Sequence, residues 1–310
     1  MPDVVCLGQF TADVVVTHVD SLPEKGKAIF VDEISLNNGG CACNTAVALG
    51  KLGIDAAVIG KVGCDTFGDY LVKVMDDVGL DTSGIVRDPS VKTSTTTVLV
   101  SPDGERSFLH YYGGNAEMSE DDVNYDIIKT AKILHVAAAF LVPGLDGEPM
   151  ARVLKKAQQM GVKTSLDTAW DAEGRWMQLL DPCLRHIDIF IPSIEEAQIL
   201  SGKKHASEIA EAFLGYGINT VVLKLGSEGC YTRTLEDEFT TPAFKVEKVV
   251  DTLGAGDSFA AGFLAATLAG WDLKKACRLA NAVGAACVSA AGTSGIRPIQ
   301  EIVEMYPVEA

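Results

Sequence analysis

Two glycines set two residues apart stand directly before an aspartate in Gly254-Ala255-Gly256-Asp257, between Val250-Asp251-Thr252-Leu253 and a small-residue apolar run, Phe259 to Leu268. Glycines at that spacing let the backbone turn tightly and come close to a ligand. The apolar run reads as a buried helix. The N–H groups at its start, together with the helix dipole, favour an anion. A carboxylate at that mouth, Asp257, is placed to take a proton from a hydroxyl attacking a phosphoryl group. Taken alone, the same residues also describe an ordinary turn capped by an aspartate, so their surroundings decide.

Further polar or glycine-rich turns recur where extended runs end. Asp13 follows the first apolar run, and Gly39-Gly40 with Asn44 opens a helix. Asp167 closes another run, as do Ser193 and Glu196 in PSIEEA. Gly226-Ser227-Glu228-Gly229 follows the run that holds Lys224. In open α/β sheets ligands bind at the carboxyl ends of the strands, where such turns gather. Asp65 and Asp167 read as plain turn residues. The chain has no G-x-G-x-x-G after its first run and no G-x-x-x-x-G-K-[ST]. Dinucleotide and P-loop chemistry are therefore not expected, and anion binding falls to residues 254–257. Cys41 and Cys43 lack a second pair at zinc spacing.

Strands and helices must hold these turns. Asp3 to Gly8 reads as a buried strand. Val14–Val16 and Ile29–Val31 read as a hairpin around Pro23–Gly26, and Asn37–Gly40 as a loop. Thr93–Val100 and Ser107–Tyr112 form a second hairpin around Pro102-Asp103-Gly104. Helices are expected at Cys43–Leu52 and Asp69–Val78, with a strand at Ala56–Gly60 between them. From Ile133 onward strand and helix alternate: strands at Ile133–Ala137, Val162–Leu166, Ile187–Ile191 and Thr220–Leu225, helices at Pro149–Met160, Trp176–Leu184, Ile194–Leu200 and Ser207–Tyr216. A hairpin through Tyr231 and Phe239 precedes two small-residue helices, Ser258–Leu268 and Leu273–Ala290. Repeating βα units give a three-layer αβα sandwich with a mostly parallel central sheet. The expected organisation is one domain over 1–310, with a small β-strand lid built from segments 12–36 and 93–114.

Bulk properties bound the partners. The 310 residues carry a formal net charge of −16. That argues against a nucleic-acid or acidic-membrane surface, which needs clustered cations. It leaves a nucleotide ligand open. The 8 cysteines lie mostly in apolar runs and read as buried free thiols, not a disulfide framework. The start lacks a signal-peptide pattern and no run is long enough for a membrane span, so a cytoplasmic location is expected.

Three long motifs carry a resemblance over essentially the whole chain. Asp251 to Phe259 matches DTxGAGDxF. Gly39-Gly40 with Asn44, Ala46, Leu49, Leu52 and Gly53 matches GGxxxNxAxxLxxLG. Gly60 to Gly68 matches GxVGxDxFG. The chain resembles the ribokinase-like, or PfkB, carbohydrate kinases. The resemblance implies Asp257 as the base accepting the proton of the attacking sugar hydroxyl, and the amides of Gly254, Ala255 and Gly256 as the anion hole. It implies Asp13, Gly39, Gly40, Asn44 and Asp251 as sugar-binding positions. Ser193, Lys224, Gly226, Gly229 and Asn281 fall on the nucleotide side, and Glu196 in the magnesium–water network. ATP and Mg2+ are implied as cofactors, a monovalent cation such as K+ beside Asp251 and the 290–295 loop, and a homodimer through the lid.

Departures from the family pattern narrow the substrate. Ser193 stands where many members have asparagine, which alters the metal–phosphate water network. Cys41 stands in place of a lysine, which disfavours a phosphorylated sugar. Tyr111-Tyr112 is followed by Gly113 rather than arginine, so a sugar carboxylate has no partner. The resulting expectation is an ATP-dependent kinase of a free neutral sugar, of the fructokinase or ribokinase type. A nucleoside kinase is the alternative, with Phe108, Tyr111 or Phe140 as a wall for the base, although packing is the plainer role for those rings. A sugar-binding regulator without catalysis is the second alternative; an intact Asp257 argues against it.

Overall fold

The computed structural model describes residues 1–308. The chain runs β1 (Val4–Gly8), β2 (Thr11–Thr17), β3 (Glu33–Gly39), α1 (Cys41–Leu52), β4 (Ala56–Gly63), α2 (Thr66–Asp77), β5 (Asp81–Asp88), β6 (Thr95–Val100), β7 (Arg106–Tyr111) and α3 (Tyr125–Ile128). It continues with β8 (Ile133–Ala139), α4 (Glu148–Gln159), β9 (Lys163–Thr168), α5 (Met177–Leu184), β10 (Ile189–Phe190), α6 (Ile194–Ser201), α7 (Ala206–Leu214), β11 (Thr220–Lys224), β12 (Cys230–Arg233) and β13 (Glu238–Thr241). Helices α8 (Ala255–Leu268), α9 (Leu273–Val288) and α10 (Ile299–Met305) close the chain.

Nine strands form the main sheet in the order β13-β12-β11-β10-β9-β8-β1-β4-β5. It is parallel from β5 across to β11, with an antiparallel edge of β12 and β13. The central strands are apolar throughout, as a sheet covered on both faces requires: β1 and β4 are buried at every residue. One face packs against α1, α2, α8, α9 and α10, the other against α4, α5, α6 and α7. This is the αβα sandwich that the alternation predicts.

A second, four-stranded sheet has the order β3-β2-β6-β7. The two predicted hairpins do not stand separately. β2 pairs in parallel with β6, Asp13 opposite Thr96, and this joins them into one layer. Pairing sets its faces, because side chains alternate along a strand. Asp13, Val15, Val98, Arg106 and Phe108 share one face; Val14, Val16, Ile34, Leu99, Leu109 and Tyr111 share the other.

Several expected boundaries are corrected. The partner of β2 is Glu33–Gly39, not Ile29–Val31, so Asn37–Gly39 is strand rather than loop. An exposed segment, Ser21–Phe30, separates the two strands. Asp81–Asp88 is a strand and Ile299–Met305 a helix; neither follows from the sequence reading. Helix α8 begins at Ala255 instead of Ser258, which moves Asp257 from the mouth of the helix into its first turn.

Candidate functional site

Helix α8 is buried along Ser258–Ala266, wedged beside α1 and α9. Gly254 caps it at φ 73°, the left-handed conformation that favours glycine. The first hydrogen bond of the helix runs from Ser258 N–H to Gly254 O at 2.8 Å. The amides before it are thus outside the helical ladder. That of Ala255 donates to Thr252 O at 3.3 Å. Lys224, at the end of β11, brings its Nζ within 3.3 Å of where a side-chain carbon on Gly256 would sit. An ammonium and a helix N-terminus therefore share one spot, and both attract an anion.

Asp257 lies between this spot and α1. Its Oδ2 accepts a hydrogen bond from Asn44 Nδ2 at 2.9 Å, and Asn44 Oδ1 accepts one from Asn38 Nδ2 at 2.8 Å. Burial raises the Asp257 carboxyl above the usual range, while the Asn44 bond and the Lys224 charge pull it back. Asp13, on β2, is pushed up to about 7 by burial and by the charges of Asp257 and Asp251, against a hydrogen bond from Thr96. Gly39 sits against Asp13 so closely that a side-chain carbon there would lie 2.0 Å from Oδ2.

Two cavities meet at the start of α8. Asp13, Asn37, Asn38, Asn44, Asp251 and Gly254 line a gap of only about 30 Å³ beneath the small sheet. On the other side a cavity of about 600 Å³ is lined by Lys224, Gly226, Gly229, Ala255, Gly256 and Asn281, with Phe244, Phe259 and Val288 as its apolar part. Gly254 faces the first, Ala255 and Gly256 the second.

The sequence-predicted residues thus converge, with differences. Ser193 does not line the larger cavity. It caps α6, accepting from Glu196 N–H at 3.3 Å, and Glu196 Oε2 accepts from Ser193 N–H at 3.3 Å. Glu196 also accepts from Thr168 Oγ1 at 2.8 Å. Asp167 is no plain turn residue: it is buried and pairs with Lys224 Nζ at 2.5 Å. Attraction from Asp167, Glu196 and Asp257 outweighs burial and keeps the Lys224 ammonium charged. Asp65 caps α2 through Gly68 N–H, as its turn reading expects. Asp251 lines the gap, but its Oδ1 accepts from Arg106 Nη2 at 2.7 Å and Leu253 N–H at 2.9 Å, and its Oδ2 from Gly292 N–H at 2.9 Å.

Arg106 and Asn38 escape the sequence reading as site residues, and Asp167 is read there as a turn residue. Asn38 adjoins Gly39, and Asp167 ends a strand on the functional edge; both carry that signal. Arg106 carries none, because its place depends on how two hairpins pair. Of the three candidate aromatic rings, Phe140 is buried in the core against Trp176, Tyr111 lies on the outer face of the small sheet, and Phe108 alone shares the face of Asp13.

An amide cradle, an ammonium and a buried carboxylate at the carboxyl edge of a mostly parallel sheet are the parts of a phosphotransferase with an alcohol acceptor. The chain belongs to the pfkB family carbohydrate kinases, whose model matches residues 1–300. It is 31% identical over 270 residues to the ribokinase of Staphylococcus aureus strain COL, covering 84% of each chain. It is 29% identical over 283 residues to the 2-dehydro-3-deoxygluconokinase of Bacillus subtilis strain 168, covering 87% of this chain and 86% of that protein. The structure of Arabidopsis thaliana ribokinase complexed with ribose and ATP superposes with a TM-score of 0.86 at 24% identity, over 99% of both chains.

Proposed function

We propose that the chain transfers the terminal phosphoryl group of ATP to a hydroxyl of a free neutral sugar, of the kind fructokinases and ribokinases use. One observation carries this reading: Gly254 lines one cavity, Ala255 and Gly256 line the other, and Asp257 follows them, hydrogen-bonded to Asn44 of the first. ATP occupies the larger one, its triphosphate toward Lys224 and the glycines. The sugar occupies the smaller, against Asp13, Gly39, Gly40, Asn44 and Asp251. Its hydroxyl donates to Asp257, attacks the γ-phosphorus and gives up its proton to that carboxylate as the bond to the β,γ-bridging oxygen breaks. ADP leaves, and the cradle amides and Lys224 take up the charge on the transferring group.

Neutrality of the sugar follows from the local charge. Asp13 and Asp251 line the gap, Asp257 stands behind Asn44, and the Arg106 guanidinium is engaged by Asp251. An acceptor bearing phosphate or carboxylate meets repulsion there. Among the described residues no group of three or more His, Cys, Asp or Glu side chains could hold a metal ion. Glu196 would hold Mg2+ through water, and the ion would supply charge neutralisation on the phosphates. Asp251 already accepts from Arg106 and two amides, which satisfies most of its acceptor capacity. No step is assigned to a monovalent cation.

A panel of neutral sugars, sugar phosphates, sugar acids and nucleosides, assayed with Mg-ATP by coupled ADP release, tests the reading. A neutral ketohexose or pentose is expected to give the highest kcat/KM. Turnover of nucleosides alone would replace it with a nucleoside kinase that uses Phe108 as a wall. Sugar binding with no turnover of any compound would make the chain a regulator.

A further inference from the structure

Arg106 is the second residue group on which the phosphoryl cradle stands, and it comes from the other sheet. It sits at the start of β7, on the face of the small sheet that carries Asp13. Its Nη2 donates to Asp251 Oδ1 at 2.7 Å and its Nη1 to Thr252 Oγ1 at 3.0 Å. Both side chains of the ion pair are mostly buried, at 19% and 15% exposure, so solvent screens the pair little. Asp251 in turn holds the N–H groups of Leu253 and Gly292, and Gly254 follows at once as the cap of α8. One guanidinium therefore fixes the two residues that lead into the cradle.

We propose that Arg106 is a positioning residue that couples closure of the small sheet to assembly of the cradle; this rests on the kinase reading above. Two observations point this way. The gap beneath the small sheet, about 30 Å³, has room for one or two waters and none for a sugar. The small sheet must therefore swing away to admit one, and the Arg106 bonds to Asp251 and Thr252 must part as it does. In addition, Arg106 Nε is buried without a hydrogen-bond acceptor. A buried N–H left unpaired is costly, so the clamp holds Arg106 with one donor unmet. Without Arg106, Asp251 is an uncompensated carboxylate three residues before the cradle. It then repels the phosphoryl group or takes the amides for itself. The cradle is thus held in reactive geometry only when the sheet is down, which limits transfer of the phosphoryl group to water.

Hydrogen exchange and kinetics on the full chain test this. In Arg106→Ala the amides of residues 251–257 are expected to exchange roughly tenfold faster, while β1, β4 and β8 keep their protection. The value of kcat is expected to fall by about 100-fold, as for loss of a cradle donor, with the KM for ATP within threefold. Arg106→Lys, which keeps the charge without the fork, is expected to recover only part of kcat while keeping protection of the main sheet. Asp251→Asn is expected to match Arg106→Ala, and the double variant to be no worse than either. Unchanged exchange in 251–257 together with kcat within twofold of wild type would overturn the proposal. So would protection lost across the whole main sheet and not regained in Arg106→Lys, which would mark a general structural role. The exchange result stands whether or not a sugar is turned over, so an error in the kinase reading shows separately, as a wild type silent on every acceptor.

Discussion

Two demands conflict at Asp257. In the role proposed for it this carboxyl must be ionised, yet it is partly buried and burial favours its neutral form. Asn44 and Lys224 resolve the conflict, one by a hydrogen bond at 2.9 Å, the other by its charge. Asp257→Asn keeps the shape and removes the base. Its kcat is expected to drop by about 10³-fold, with sugar affinity within a few-fold, as measured by steady-state kinetics and calorimetry. Asp13 gives the pH dependence. A carboxyl pushed up to about 7 is increasingly protonated below that pH and then loses the charge-assisted bond from a sugar hydroxyl. The kcat/KM for sugar should therefore fall as pH drops through about 7, and Asp13→Asn should lose that limb along with most of the activity. Stability runs the other way. The folded value lies above the ordinary 3.8, so ionisation costs the folded state, and stability falls as pH rises from the ordinary value toward about 7. Asp13→Asn is expected to melt higher than wild type at pH 8, with the gap closing near pH 4. Equal melting temperatures at pH 8 would show that Asp13 carries no such penalty.

Elements decide how much of this could be read beforehand. Long motifs fix the glycine turns, since only glycine fits Gly254 at φ 73° and only a residue without a side chain fits against Asp13 at Gly39. The central strands were legible because a sheet covered on both faces needs unbroken apolar runs. The small sheet was only half legible. Its strands are amphipathic, and the register that sets Arg106 beside Asp251 is a contact across 145 residues. No local pattern encodes such a pairing. Asp167 was misread for a similar reason: an aspartate after a strand is usually a turn residue, and only the fold brings Lys224 to it. Gly39→Ala is expected to displace the Asp13 carboxylate, because the added carbon would lie 2.0 Å from it. A misplacement of that size costs on the order of 100-fold in kcat/KM for sugar. The variant should leave ATP binding unchanged by calorimetry; a matching loss of ATP affinity would mean that the damage is global.

At the scale of the whole molecule, the small sheet has two faces, one lining the gap and one partly open to solvent. The outer face carries Val14, Val16, Ile34, Leu99, Leu109 and Tyr111 with no charged side chain among its strand residues. Ile34, Leu109 and Tyr111 are more than half exposed, at 65%, 58% and 55%. An uncharged apolar face on a chain of net charge −16 is unusual, because the rest of the surface repels a second copy. On this face self-association meets no such repulsion. A homodimer through this face would bury it and would also anchor the small sheet from outside, leaving the Asp13 and Arg106 face for the substrate. Leu109→Asp places a charge in the centre of the contact. Sedimentation is expected to show a wild-type dimer at micromolar concentration and a monomeric Leu109→Asp variant with an unchanged main-sheet melting transition. The monomer should have a higher KM for sugar, since its small sheet has lost outside support, and nearly the wild-type KM for ATP. A wild type that sediments as a monomer at every concentration would leave the outer face without a second copy to cover it.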